Sequence, residues 1–548
     1  MPLTRRTILK LPVGGAALAA QGCATDDSDE DWRRGVVQHL IPTASHRAFN
    51  IKLSFFTPRA STPMLHVGKS ARVVAGERQD SKGRFWAFRV GHLDPDTTYS
   101  LELRDGRSAK APLLCEDWPL RTLPAPHARP EALRVISFTC AGGPNLPTPP
   151  GLFHAFKPAA YRRRLFDLMI ERAPDLVIAN GDHVYFDLPM QERLREGAIG
   201  RLVASFVDGM NASFDPNLPV LGSPNEAALT TVGDDQIASI YGVRFRSIPM
   251  FFVTDDHDYF DNDDATPQRV TMPPNPFHMS LRNSLQRLYF PEFISENEVG
   301  TPFPGRIDAN GVRLSTHFGE VRYGGLFAAL MYDCSGYLSL AGELGLVPAA
   351  VEAWLVERTR REDTAHLVHA PSHPFGWTAG KWREWYPDLL ETRGSLLAEI
   401  MVDTAGHKYE WKRGWWEQHQ RLLEVMTKQS RRAPLIISGD LHALGLARIE
   451  RSGPLDLRGN PVYTALSGPV GVGDLGWPSN ARGVDARTPS DLKVTEMLGL
   501  EERNGFTVLD FDPESVVLDL LGCPPGWTDP SHLSVASAAR LELPTRQG

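Results

Sequence analysis

The sequence predicts an α/β layered domain behind a smaller all-β sandwich, and three observations carry that prediction. Between residues 34 and 125, short runs of alternating apolar and polar residues are separated by turn signals. Beyond residue 131 the alphabet changes to short apolar strands and an amphipathic helix in strand–helix–strand order. Four of those later strands run directly into cysteine, aspartate, tyrosine or histidine, the residue types that carry chemistry.

The bulk properties agree with a globular chain of more than one domain. It has 548 residues, 42% hydrophobic and 23% charged, with a formal net charge of −8. No Lys/Arg field stands out, which argues against a nucleic-acid-binding surface. Five cysteines, at 23, 115, 140, 334 and 523, are too few and too scattered for a disulfide framework. No apolar stretch reaches the roughly 18 residues of a spanning helix.

The elements follow in order. "LTRRTILKLPVGGAALAAQGC" places Arg5 and Arg6 ahead of Ile8-Leu9-Lys10 and a short core of small residues. It resembles a twin-arginine export signal, which implies the export machinery as a partner and a periplasmic or extracellular destination. Cys23 is a candidate lipoprotein cysteine, although Ala20 and Gln21 match such a box poorly. "ATDDSDEDW" then reads as an acidic linker, so residues 1–30 are expected to be signal and linker. In "RFWAFRVGHLDPDTTYSLELRDG", Phe88 and Val90 alternate with Arg89, Leu93-Asp94-Pro95-Asp96 turns, and Tyr99, Leu101 and Leu103 alternate again. The "LDPDTTYSLEL" stretch resembles fibronectin type III domains, in which such a tyrosine packs at a corner of the sandwich. Residues 34–125 are therefore expected to form a fibronectin III-like sandwich, and "LPAPHARPEA" (123–132) to form a linker.

"LRVISFTC" is a short buried strand. "PAAYRRRLFDLMIERAPD" is an amphipathic helix with Tyr161, Leu165, Leu168 and Met169 on one face, and "LVIANGD" is the next strand. "IPMFFVTDDHD" and "PLIISGDLH" repeat the form, and "GFTVLDFDPESVVLDLLGC" reads as a hairpin closing a sheet. Segments 187–235 and 262–310, rich in Pro, Gly and Asn, read as insertions or lids. This second domain is expected over residues 131–525, with 526–548 as a tail.

The four strand ends deliver Cys140; then Asp182, His183 and Tyr185; then Asp255, Asp256, His257 and Asn262; and finally Asp440 and His442. Consecutive strand ends in a layered sheet point the same way, so these groups can meet at one edge. Six aspartates fall between positions 255 and 264. Carboxylates packed so closely repel one another and are costly to bury unless a cation offsets them. Thiolate, carboxylate, imidazole and phenolate together suit Fe(III), Zn, Mn or Ca.

The order of these motifs resembles the metallophosphoesterase superfamily and, within it, the PhoD-like (alkaline phosphatase D) family. Over residues 34–525, "NGDHVY", "TDDHDYFDND" and "SGDLH" stand where the superfamily has "GD", "GNH[ED]" and "GHxH". "FTC" replaces the usual opening "DxH", as a Ser-Cys does in PhoD-like proteins. Asp256 takes the place of the second-motif asparagine, and Asp440 that of the first histidine of the last motif. "MYDCSGYLSL" keeps Asp333 but has Ser335 where an arginine would stand. His373, in "HAPSHPFGW", is either a mid-chain ligand or part of a substrate loop.

The resemblance implies a four-layer α/β (α+β) metallophosphoesterase sandwich with a fibronectin III-like front domain. It implies hydrolysis of phosphomonoesters, phosphodiesters or both, by attack of a hydroxide held on a dinuclear metal centre. Cys140, Tyr185 and His442 would hold Fe(III), with Asp182 as the bridge. Asp256 and Asp440, with Asp255 nearby, would hold a divalent cation: calcium first, with zinc or manganese as alternatives. His257 would be the catalytic acid or orient the phosphate, Asn262 would contact the substrate, and His183 would support the site rather than ligate. The alternative is a catalytically degenerate binding module of the cell envelope.

Overall fold

The computed structural model describes residues 32–68, 72–145, 156–188, 212–261, 273–295, 305–307, 313–338, 345–379, 413–473, 486–524 and 529–545. The export segment, Cys23 and Asn262 lie outside them.

The front of the chain forms two four-stranded antiparallel sheets. One orders Val37–Ala44, Phe49–Phe55, Phe85–Val90 and Glu77–Arg78; the other orders Arg72–Ala75, Met64–Val67, Thr98–Arg104 and Trp118–Arg121. Their facing sides bury Leu40, Ile51, Phe88, Leu65, Leu101 and Trp118. Tyr99 packs against Phe49, and its hydroxyl accepts a hydrogen bond from the Asp94 amide at 2.9 Å, so the side chain bridges back to the turn that precedes its strand.

The strand Phe85–Val90 is buried on both faces, and Arg89 is only 3% exposed. Its polar side, with Asn50 and Lys52 of the neighbouring strand, is covered by the segment that follows the helix Pro276–Tyr289. There Glu292 accepts from Lys52 Nζ at 3.2 Å and from Asn50 Nδ2 at 3.1 Å. Apolar–polar alternation in these strands therefore marks two buried faces, one of them an interface.

Behind the sandwich stand two larger sheets. The first orders Met250–Val253, Leu176–Asn180 and Leu133–Phe138 in parallel, followed by Gly505–Phe511, Ser515–Gly522 and Ala536–Pro544 in antiparallel pairing. The last strand lies beyond the expected domain end at 525. Residues 536–544 pair with Ser515–Gly522 and form the edge of this sheet. The second sheet has eight strands and is parallel through Phe327–Tyr332, His366–Pro371, Leu435–Ser438 and Val462–Ser467.

The inner faces of the two sheets meet through Val135, Ile178, Val253, Met331, Val368 and Ile437. Outside the first sheet lie the helices Ala159–Ile170 and Pro224–Gly233, packed through Leu165, Met169, Leu229 and Val232. Outside the second lie Ala349–Arg361 and Arg413–Thr427, packed through Leu355 and Leu422. Helix, sheet, sheet and helix thus stack in four layers. Asn180 Nδ2 donates to Pro371 O at 3.0 Å and to Ile437 O at 3.3 Å, which brings the C-terminal ends of parallel strands from both sheets to one edge. The four described cysteines are buried free thiols. Among the described residues, no helix is long and apolar enough to cross a membrane.

Candidate metal centre

The site stands at that shared edge, and the loops that make it are tightly turned. Cys140, Asp182, Asp440 and His442 all have positive φ, at 51°, 59°, 70° and 52°. Side chains disfavour this left-handed region, and a residue held there costs of order 1–3 kcal/mol. The chain therefore turns sharply at these four donors.

Three groups of donors result, each with its atoms within 4.8 Å of one another: Cys140, Asp182 and His442; Asp182, Asp256 and His257; and Asp255, His373 and Asp440. Asp182 belongs to two of the three. Its Oδ2 accepts from the Cys140 thiol at 3.3 Å and from the Tyr185 hydroxyl at 2.9 Å, and the same hydroxyl lies 2.7 Å from His442 Nε2.

The pairing of the acids differs from the sequence expectation. Asp440 groups with Asp255 and His373, whereas Asp256 groups with Asp182 and His257. The reason is local. Asp255 is extended and caps a one-turn 3₁₀ helix over Asp256–Tyr259, so consecutive carboxylates leave the chain in different directions. Asp255 reaches the Ser335 hydroxyl, which donates to its Oδ1, and His373 Nδ1 lies 3.3 Å from the same oxygen. Ser335, which stands where the resemblance expects an arginine, is thus in contact with a candidate ligand.

His257 stands within a donor group rather than outside it. Its Nδ1 is 2.7 Å from Asp187 Oδ1, and its ring lies 4.1 Å from that of Tyr185. His183 is fully buried, with Nε2 at 2.9 Å from Val253 O and Nδ1 at 3.3 Å from the Tyr241 hydroxyl, so it serves the fold.

Two residues escaped the sequence reading. Asp258 Oδ2 accepts the amides of Asp182 and Asp255, and its Oδ1 those of His183 and Val184, so one buried carboxylate ties two donor loops together. Asp187, five residues after Asp182, was signalled only by its place at the end of "GDHVYFD".

The chain superposes on a solved structure of PhoD over 93% of this chain and 91% of that one, with a TM-score of 0.58 and 12% sequence identity. The fold is that of PhoD. A structure of the purple acid phosphatase PPD1 from yellow lupin (Lupinus luteus) seeds is similar over 92% of this chain and 73% of that one, at 12% identity and a TM-score of 0.49. No family model matches the chain, and no curated protein matches it.

On this PhoD fold the protons of the site are held against ionisation. Burial pushes the Cys140 thiol well above its ordinary pKa, and the Asp182 charge adds to the shift. Burial, then Asp182 and Cys140, do the same to Tyr185. Asp182 is raised by burial and by Asp255, Asp258 and Asp440, while His257 opposes them. Asp182 Oδ1 and Asp255 Oδ2 are buried and have no hydrogen-bond partner among the described residues. Buried carboxylate oxygens without partners are costly, and a bound cation offsets that cost while displacing the protons of its ligands. The donors present fit such cations: sulfur, phenol oxygen and imidazole on one side of Asp182, carboxylate-rich groups on the other.

Proposed function

We propose that the chain is an exported, metal-dependent phosphoesterase that hydrolyses phosphomonoesters, phosphodiesters or both. The observation that carries this reading is the position of Asp182, shared between a sulfur–imidazole group and a carboxylate–imidazole group in a buried site. A carboxylate so placed suits a bridge between two cations. Cys140, Tyr185 and His442 would hold Fe(III) with Asp182. Asp256 and the Asp255–His373–Asp440 group would hold divalent cations, with calcium first by the hardness of the oxygen donors and zinc or manganese as alternatives. Bound cations would supply a nucleophile from water near neutral pH and neutralise the phosphoryl oxygens.

The chain's own residues do the rest. Asp258 fixes the relative position of the loops carrying Asp182 and Asp255, so little reorganisation accompanies substrate binding. Asp187 holds Nδ1 of His257. Burial alone would lower the pKa of that ring, but Asp187, Asp256 and Asp182 outweigh it and raise it. A protonated imidazole beside Asp182 can give its proton to a leaving alkoxide or hold a phosphate oxygen. The domain reading belongs to the same proposal: a fibronectin III-like sandwich over residues 34–125 ahead of the catalytic layers, and a twin-arginine signal before it. The intact donor set supports an enzyme over a degenerate envelope-binding module.

The test is turnover of paired monoester and diester substrates by protein stripped of metal and then reloaded with iron plus calcium, zinc or manganese. Activity that returns only with metal supports the proposal. Full activity in stripped protein, or none in any reloaded form, refutes it.

A further inference from the structure

We infer that Gln236 is a positioning residue for the metal centre and that the N-terminal sandwich aims it, through Arg84 and a π-helix. The inference rests on the proposed metal site, in which Cys140 and Tyr185 share one cation.

Gln236 is fully buried and spends its side-chain amide on two site loops. Its Oε1 accepts from the Gly143 amide at 2.7 Å and from the Tyr185 amide at 2.7 Å, and its Nε2 donates to Tyr185 O at 2.9 Å. Gly143 lies three residues after Cys140. One side chain therefore fixes the loop leaving the thiol relative to the backbone that carries the phenol. A shift of either loop would break a buried hydrogen bond to this side chain.

The backbone that presents Gln236 is unusual. Asp234–Ala238 is a π-helix inserted between Pro224–Gly233 and Ser239–Tyr241, and the Ser239 amide donates to Asp234 O, five residues back. Such an insertion rotates the helix face and is characteristic of functional sites. It is anchored at its first residue. The Arg84 guanidinium pairs with both carboxylate oxygens of Asp234, and the Tyr289 hydroxyl donates to Asp234 at 2.8 Å. Gly233, just before the insertion, lies so flat on the Tyr289 ring that an added Cβ would fall 2.4 Å from it. Arg84 leads into a strand of the front sandwich, and Asp80 accepts its backbone amide. The connection therefore runs from Arg84 through Asp234 to Gln236 and on to Tyr185 and Gly143.

The structure supplies its own control. Lys52 also joins the sandwich to the rest of the chain, but it donates to Arg287 O at 2.9 Å and to Glu292 at 3.2 Å, and neither of these belongs to the π-helix. Three variants of the full chain are compared: Arg84→Met, Gln236→Glu and Lys52→Met. Gln236→Glu keeps the shape and the acceptor oxygen but loses the donor to Tyr185 O. The readouts are iron affinity by chelator competition, the visible absorption band of the iron-loaded protein, amide hydrogen exchange over residues 141–145 and 183–187, and Tm.

Arg84→Met and Gln236→Glu are expected to weaken iron binding about 10–100-fold, as loss of a supporting contact behind a metal ligand does. Both should shift the band and speed exchange in the two segments. Lys52→Met should lower Tm and leave the other three readouts alone. The inference is overturned if Arg84→Met behaves as Lys52→Met does, or if Gln236→Glu leaves exchange and iron affinity unchanged. If the unmodified protein binds no iron, the proposed iron site fails, and the exchange comparison still decides the role of Arg84 and Gln236.

Discussion

Asp258 uses both carboxylate oxygens on backbone amides, while Asp255 keeps one oxygen with no hydrogen-bond partner among the described residues in a buried site. Two residues from a single acidic run thus stand differently, one building the loop and the other a candidate ligand. Asp182→Asn is expected to lower metal content and abolish turnover, because it removes charge from the carboxylate shared by two donor groups; metal analysis beside a turnover assay checks this. His257→Ala should cut the rate by about 10²–10⁴ on poor leaving groups and much less on nitrophenolate, if the ring acts as a general acid. Equal losses on both substrates would make it a phosphate-positioning group instead. Asp440 has a φ of 70°. Asp440→Gly should therefore stabilise the metal-free protein by up to about 1 kcal/mol while weakening metal binding. A lower Tm for the metal-free variant would show that the turn carries no such strain.

At the scale of elements, the strand-then-donor pattern was legible because an apolar run before a charged turn reflects burial followed by a sheet edge. The strands bearing Cys140, Asp182, Asp255 and Asp440 all read this way. What sequence could not show is which acids fall into one donor group, since that depends on the turn from extended Asp255 into the 3₁₀ helix. Nor could it show Gln236, whose partners lie 51 and 93 residues away. Residues 536–544 read as a tail because alternating Ala, Arg, Leu and Glu carries little apolar signal, yet they pair along the sheet. The buried clamp between the sandwich and the segment after the helix Pro276–Tyr289 was equally hidden. Burial alone would raise the pKa of Glu292, but Lys52, Arg89 and Asn50 outweigh it and hold it at about 2, against an ordinary 4.5. A carboxyl depressed in the folded state stabilises the fold above its unfolded pKa and loses that contribution as pH falls through the folded value. The difference corresponds to about 3 kcal/mol, lost between about pH 5 and pH 2. Denaturant unfolding across that range should show the loss, and Glu292→Gln should be destabilised at neutral pH and have a flatter acid limb. An unchanged acid limb would mean that the clamp does not govern it.

For the whole molecule, the sandwich, the two sheets and the outer helices form one frame that presents a single donor-rich edge. The four described cysteines are free, so folding as seen requires no oxidising compartment. If Arg5 and Arg6 direct export of the folded protein, replacing both with lysine should retain the precursor inside the cell with metal bound and activity intact. An inactive, metal-free precursor that gains activity only after export would place metal loading outside. The central claim, that Cys140 and Tyr185 hold a ferric ion beside the Asp182 bridge, is tested most directly by elemental analysis and visible absorption of purified protein next to Tyr185→Phe. The expected result is iron in the unmodified protein, with a phenolate-to-iron band that Tyr185→Phe removes or shifts. Colourless, iron-free protein with full activity would contradict it.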